Sequence, residues 1–390
     1  MTPLKYLSIY IHWPFCLSKC PYCDFNSHIA NKIDHNLWLK SYEKEIEHFT
    51  DIIQNKYIKS IFFGGGTPSL MESFVVEGII SKIKEIANID DQTEITLETN
   101  PTSFEANKFR SFKLAGVNRV SIGVQSLRED DLKKLGRQHD AAQAIKIIEA
   151  ARKIFPKISF DLIYARSDQT LKDWQQELKE AMQLASGHIS LYQLTIEKGT
   201  LFYKLFKEGS LILPNSDKAA EMYEWTNYYL ESNNYFRYEI SNYALPNHEC
   251  IHNLAYWHYD NYLGIGPGAH SRIIEDSKQA TSYSMMMWHK PEKWLQAVNE
   301  LNVGIQSKIK LSLQEMIEEI LMMGLRLKDG ININSLEQKT GMKLTNILDT
   351  KLLNYYQTLN LIKLDNNIYL TDKGLMLHSY IVPRLIKDIQ

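Results

Sequence analysis

Short runs of β-branched and aromatic residues recur through the first 200 positions, at 6–12, 58–63, 94–98, 119–124, 158–163 and 188–194, and read as six strands. Between them lie amphipathic stretches long enough for helices, at 36–53, 73–87, 103–114, 141–155 and 171–184. This alternation predicts an α/β fold, a parallel sheet wrapped by crossover helices. Polar, glycine or cysteine residues collect where the strands end: Cys16 after the first, Gly64 to Thr67 after the second, Glu98 at the third, Gln125 after the fourth and Asp161 on the fifth. In a parallel barrel the strand C-termini share one mouth, so these scattered residues are predicted to meet in a single site. Six units, where a closed barrel has eight, predict a partial (β/α)6 barrel with an open side.

After position 234 the texture changes. Residues 235–300 carry aromatic and polar loops with short strands, including HNLAYW at 252–257 and the glycine-rich GIGPGAH at 264–270, and read as a β-containing extension of the barrel at 1–234. Residues 301–390 form a compact pattern: helices at 312–327, 333–340 and 344–359, then a hairpin of 361–364 and 368–370 turned by Asn366 and Asn367. A closing helix is capped at Thr371 or Asp372. Three helices and a hairpin describe a winged-helix domain, a unit often used on DNA. Its 11 Lys and Arg against 9 Asp and Glu are too evenly balanced for a phosphate-tracking surface, which favours packing or partner docking.

The whole chain has 390 residues, 44% hydrophobic and 23% charged, with a net charge of −2, so neither extended disorder nor a nucleic acid partner is expected. No run of 18 apolar residues or secretory signal pattern occurs, which predicts a cytoplasmic protein without a transmembrane segment. Nothing in the sequence opposes peripheral membrane contact or a homodimer.

Three of the four cysteines sit within eight residues, Cys16, Cys20 and Cys23 in C-x3-C-x2-C, which suits metal binding better than a disulfide framework. Thiolates favour iron-sulfur clusters or zinc. A structural zinc site wants four ligands and would have to recruit His12, His28 or the distant Cys250. Three thiolates on a 4Fe-4S cubane leave one iron open to a small molecule. Gly64-Gly65-Gly66-Thr67-Pro68 follows a strand and precedes a helix, so backbone amides there can approach a ligand with no Cβ in the way. Glu98, Gln125, Arg137 and Asp161 are further polar groups at or near strand ends, each of which alone would equally suit a solvated or capping role.

In order along the chain, IYIHWPFC at 9–16, FGGGTPS at 63–69, SIGVQS at 121–126, YEISNYA at 238–244, HNLAYW and GIGPGAH resemble the oxygen-independent coproporphyrinogen III oxidase family, most closely its heme-chaperone branch. The family belongs to the radical S-adenosylmethionine (SAM) superfamily. The resemblance implies a radical SAM barrel in which Cys16, Cys20 and Cys23 hold a 4Fe-4S cluster and SAM chelates the open iron, where one electron cleaves it to methionine and a 5'-deoxyadenosyl radical. Tyr10, Gly65 and Glu98 would contact that SAM, and Tyr22, Gly66, Thr67, Gln125, Arg137 and Asp161 correspond to contacts with a second molecule. Two functions follow: a chaperone that binds heme and passes it to hemoprotein acceptors, or an oxidase that decarboxylates the propionates of coproporphyrinogen III. The oxidases carry a fourth cysteine two positions after the third, where this chain has Phe25. The chain instead has His252, Asn253, Tyr256 and Trp257 in a motif linked to heme binding, with His252 as the expected iron ligand. One stretch departs from the family: D-L-I-Y-G-L-P is replaced here by Asp161 to Tyr164 followed by Ala165, Arg166 and Ser167. That change alters a tight turn and places a charge near the predicted rim.

Overall fold

A computed structural model describes residues 5–30, 32–102, 108–276 and 281–388. The six predicted strands are present as β1 (Tyr6–Trp13), β2 (Tyr57–Gly65), β3 (Glu94–Thr99), β4 (Arg119–Gln125), β5 (Lys157–Tyr164) and β6 (His188–Gln193). They pair parallel in chain order. Because helices cover the sheet, β1 buries Leu7, Ile9, Ile11 and Trp13 as well as Ser8 and His12 between them, the near-continuous burial expected of a covered parallel strand. Each crossover brings the chain back to the same end of the sheet. The helices Ala141–Ile154 and Leu171–Leu184 start at reciprocal capping boxes, Asp140 with Gln143 and Thr170 with Asp173.

The expected helix over 36–53 is two pieces, His35–His48 and Thr50–Ile53. At the break the Thr50 hydroxyl donates back to the Glu47 carbonyl at 2.7 Å, a local bond that competes with helix continuation. The expected helix over 103–114 is described only as Phe109–Leu114, since 103–107 lie outside the described residues.

The extension does not form a separate layer. Its strands lengthen the barrel sheet at both edges. Beyond β6 the antiparallel pair β7 (Phe236–Glu239) and β8 (Asn242–Ala244) is added, and beyond β1 the sheet continues through β9 (Tyr262–Ile265), β10 (His270–Asp276), β11 (Thr281–Met287) and one strand from past position 300, β12 (Ile305–Lys310). β9 runs parallel to β1, with Tyr10 opposite Gly264, and β10 to β12 are antiparallel. Among the described residues the result is one open sheet of 12 strands. A buried carboxylate fixes the new edge: Glu45 accepts from the Gly266 and Gly304 amides at 2.7 Å and from Trp294 Nε1 at 3.0 Å, and burial pushes its pKa up to about 7.

The C-terminal unit has its own apolar core, built from Ile317, Leu321, Leu336, Ile347, Ile368 and Ile381 among others. Helices Leu313–Gly324 and Ile333–Thr340 are followed by two pieces, Leu344–Ile347 and Thr350–Thr358, where one helix over 344–359 is expected, and then by a hairpin of β14 (Ile362–Leu364) and β15 (Asn367–Leu370), to which β13 (Ile331–Asn332) adds a third strand. The hairpin turns on Asp365 and Asn366, one residue earlier than expected, because Asn367 is already paired in the strand. Thr371 caps the helix that follows. Among the described residues no helix is long and apolar enough to cross a membrane.

Candidate cluster and cofactor site

At the strand C-termini lies an open cavity of about 160 Å3. The segment after β1 brings Cys16, Cys20 and Cys23 to its wall, and all three thiols are partly exposed there. Each sulfur has a polar side chain beside it. Thr67 Oγ1 donates to Cys16 Sγ at 3.4 Å, Arg137 NH1 to Cys20 Sγ at 3.3 Å, and Ser27 Oγ lies 3.9 Å from Cys23 Sγ. Burial pushes the Cys16 and Cys23 pKa values up, and the Thr67 and Ser27 hydroxyls act against it. This donor set of three soft thiols around a cavity, each with a hydrogen-bond neighbour to share thiolate charge, fits an iron-sulfur cluster.

Two of the cysteines are linked through a relay that sequence reasoning did not single out. Arg137 also donates to Asn100 Oδ1 at 2.6 Å and to the Gly123 carbonyl at 2.7 Å, while Asn100 Nδ2 donates to Thr67 Oγ1 at 3.1 Å. Asn100 therefore joins the residue on Cys20 to the residue on Cys16. The available signal was its place two positions after Glu98 at the end of β3.

The glycine turn is held against the cysteine segment by backbone bonds from Gly66 N to Trp13 O at 2.7 Å and from Thr67 N to Phe15 O at 2.8 Å. Only glycine fits there. Gly65 has φ +111°, and a Cβ on it would lie 2.6 Å from the His12 ring; one on Gly66 would lie 2.7 Å from the Phe15 carbonyl oxygen. Glu98 reaches the same turn, accepting from Gly65 N at 3.2 Å. Its carboxyl is raised to about 8, first by burial and then by the charge of Asp161, itself raised to about 6 by burial.

Tyr22, Gly65, Gly66, Thr67, Glu98, Gln125, Arg137 and Asp161 all line this cavity. Tyr10 does not; it lines an adjoining one, described below. Gln125 holds φ +72° at the end of β4, an uncommon conformation for a side-chain residue and one that sits at the site. The heme motif is placed differently from what the sequence suggests. His252 is 1% exposed on the short helix Ile251–Trp257, and both ring nitrogens are engaged, Nδ1 with Ser60 Oγ at 2.8 Å and Nε2 with Tyr256 OH at 3.0 Å. Of the four motif residues only Tyr256 lines a cavity at this mouth. Asn253 is half-buried, and Trp257 carries the Arg326 guanidinium 4.5 Å from its ring centre. Cys250 is buried away from the cluster cavity, where its thiol donates to Glu94 Oε1 at 3.4 Å.

Arg166 does not charge the rim. It turns inward behind Gln125, 3% exposed, to pair with Glu177 at 2.5 Å and Asp131 at 2.8 Å and to donate to the Ile163 carbonyl. Ala165 takes φ +53° where the family's glycine would be unstrained, a cost of roughly 1–2 kcal/mol.

The sheet, the cysteine loop and the glycine turn together define a radical SAM protein, and residues 10–181 match the Radical SAM superfamily. Residues 311–377 match the HemN C-terminal domain. The fold is similar to coproporphyrinogen III oxidase (HemN) from Escherichia coli, a radical SAM enzyme, with a TM-score of 0.81 at 22% identity over 98% of this chain and 90% of that one. In sequence the chain is 38% identical over 330 residues to radical S-adenosyl methionine domain-containing protein 1, mitochondrial, of Danio rerio, covering 83% of this chain and 73% of the relative. It is 40% identical over 293 residues to heme chaperone HemW of Haemophilus influenzae, covering 73% and 75%. The same chaperone of Escherichia coli is 38% identical over 277 residues, covering 70% and 72%. The chain belongs to the HemW family of radical SAM proteins, which implies a 4Fe-4S cluster and SAM.

Proposed function

We propose that this protein binds heme and delivers it to hemoprotein acceptors, with a 4Fe-4S cluster on Cys16, Cys20 and Cys23 and SAM beside it. The observation that carries this reading is the 38–40% identity to proteins named as heme chaperones over about three-quarters of their length. The residue at the fourth cysteine position supports it. Phe25 is 63% exposed at the mouth and offers no thiol for oxidase chemistry.

Each group has a part. The three thiolates hold the cluster, and Thr67 and Arg137 stabilise their charge. Gly65 lets the backbone approach the methionine end of SAM, and Glu98 accepts from its ribose hydroxyls. The cluster, when bound, supplies a single electron to SAM. Hemin titrated into the anaerobically reconstituted full chain should give a shifted Soret band at about one equivalent. Coproporphyrinogen III with SAM and a reductant should yield no protoporphyrinogen. Turnover of that substrate would replace the chaperone reading with the oxidase one.

Glu98 gives SAM binding a pH signature. A carboxyl raised to about 8 is largely protonated at neutral pH and lacks one acceptor; as pH rises it ionises and its attraction for the sulfonium also grows. Affinity for SAM should therefore increase by about tenfold from pH 7 to 9, the change in ionised fraction for that pKa. Equilibrium binding at each pH checks this, and Glu98→Gln should flatten the profile. An unchanged slope in that variant would remove Glu98 as the titrating contact.

A further inference from the structure

Beside the cluster cavity lies a second cavity of about 460 Å3, within the range of ligand pockets. The two share Phe25, Gly65 and Glu98 as a common wall. The histidines at this mouth differ sharply in availability. His12 is buried with Nδ1 on Tyr10 OH at 3.1 Å and Nε2 on the Asn26 carbonyl at 2.9 Å, and His252 behind it is equally committed. His270 and His289 are exposed, line the second cavity and stand edge to face with ring centres 6.2 Å apart. Among the described residues no hydrogen bond ties either ring.

The support of these two rings is rigid. His270 begins β10 and pairs with Met286 of β11, and Gly264 of β9 lies so close that a Cβ on it would meet the His270 carbonyl oxygen at 2.3 Å. The Asn26 amide, three residues past Cys23, donates to the His289 carbonyl at 2.9 Å and to the Pro267 carbonyl at 3.0 Å. The cluster loop and both imidazole-bearing segments are thus one block.

The surroundings specify the ligand class. Phe25 and the edge-to-face pair Tyr256 and Tyr262, 4.4 Å between centres, give flat apolar walls. A bare metal ion would want a third and fourth protein ligand, and of the other groups lining the cavity His12 is committed to Tyr10 and Asn26 and Glu98 to the Gly65 amide. A metalloporphyrin brings four nitrogens of its own and needs from the protein only an axial imidazole and a flat apolar seat.

We infer that this cavity is the heme seat, with an imidazole of the His270 and His289 pair on the iron, and that His252 acts as a positioning residue that holds Tyr256 in the wall. This rests on the heme-binding reading and deepens it. The adjoining wall would set the porphyrin edge next to the SAM contacts Gly65 and Glu98.

The test titrates hemin into the cluster-loaded full chain and into His270→Ala, His289→Ala, the double variant and His252→Ala, following the Soret band and, after reduction, the iron–imidazole stretch in resonance Raman spectra. The double variant should bind hemin at least about tenfold more weakly and lose the imidazole-ligated signal, while iron and sulfide content and circular dichroism stay unchanged. Added free imidazole should restore that signal to it. His252→Ala should keep that signal with a smaller loss of affinity. If the double variant binds hemin as the unaltered chain does, or if only His252→Ala loses the ligated signal, the assignment is overturned while the heme reading stands. If the unaltered chain shifts no Soret band, the heme reading itself fails and the site with it.

Discussion

Replacing Cys16, Cys20 or Cys23 by alanine should take the iron bound after anaerobic reconstitution from about four per chain to near zero, with loss of the broad visible absorption of a 4Fe-4S centre. Three protein thiolates are the minimum that leaves a single iron open, so removing one exposes a second iron to solvent and the cubane decays. The environment sharpens the expectation. Each sulfur has its own polar neighbour in Thr67, Arg137 or Ser27, and no fourth cysteine lines the cavity. Cys250→Ala is the control. That thiol is buried against Glu94, with its pKa pushed up to about 12 by burial and then by the Glu94 charge, so it should leave iron and sulfide unchanged. Iron and acid-labile sulfide analysis of the four variants checks this. Full iron in any of the first three, or its loss in the fourth, would sink the cluster assignment.

What the sequence disclosed and what it concealed divide along the range of the interactions. The six parallel strands and their helices were legible because each is announced within its own window, by β-branched runs, amphipathic spacing and caps such as Asp140 and Thr170. The convergence of Cys16, Gly65, Glu98, Gln125 and Asp161 followed from topology alone, since parallel strands share one mouth. The attachment of β9 to β1 was not legible. Ser8 pairs with Tyr262 across some 250 residues, and no local pattern reports a partner at that distance.

The same limit applies to side chains. His252 was expected as a ligand from the family motif, and nothing local reports that the helix Ile251–Trp257 buries it with its ring nitrogens on Ser60 of β2 and Tyr256. His270 and His289 gave no local sign of being available, because their exposure depends on how β10 and β11 turn at the edge of the sheet. A loop arginine ordinarily reads as solvated. Arg166 is buried because Asp131 and Glu177, separated from it by 35 and 11 positions, come from two different helices that meet behind β5.

Arg166→Ala is expected to destabilise the barrel strongly although it lies outside the apolar core. Arg166 and Glu177 are 3% and 0% exposed, and the pair is closed by further bonds: Glu177 Oε1 accepts from Ser126 Oγ at 2.6 Å and from the Leu127 amide at 2.7 Å, and Gln169 Nε2 donates to Glu177 Oε2 at 3.4 Å. Truncating the arginine leaves a buried carboxylate without its cation, which typically costs roughly 3–5 kcal/mol. For a barrel of this size that corresponds to a fall in Tm of roughly 6–20 °C. The loss should also reach the site, because Glu177 holds the two residues that follow Gln125, and Asp131 lies on the helix Glu129–Lys134 just before Arg137. Neutralising the partner separates the two causes. Arg166→Met with Glu177→Gln removes both charges but keeps an acceptor for Ser126 and Leu127, so it should recover more than half of the lost stability. Differential scanning calorimetry of the single and double variants measures both effects. A single variant within about 1 kcal/mol of the unaltered chain would mean that water replaces the guanidinium, and that the turn through Ala165 is held by its backbone alone.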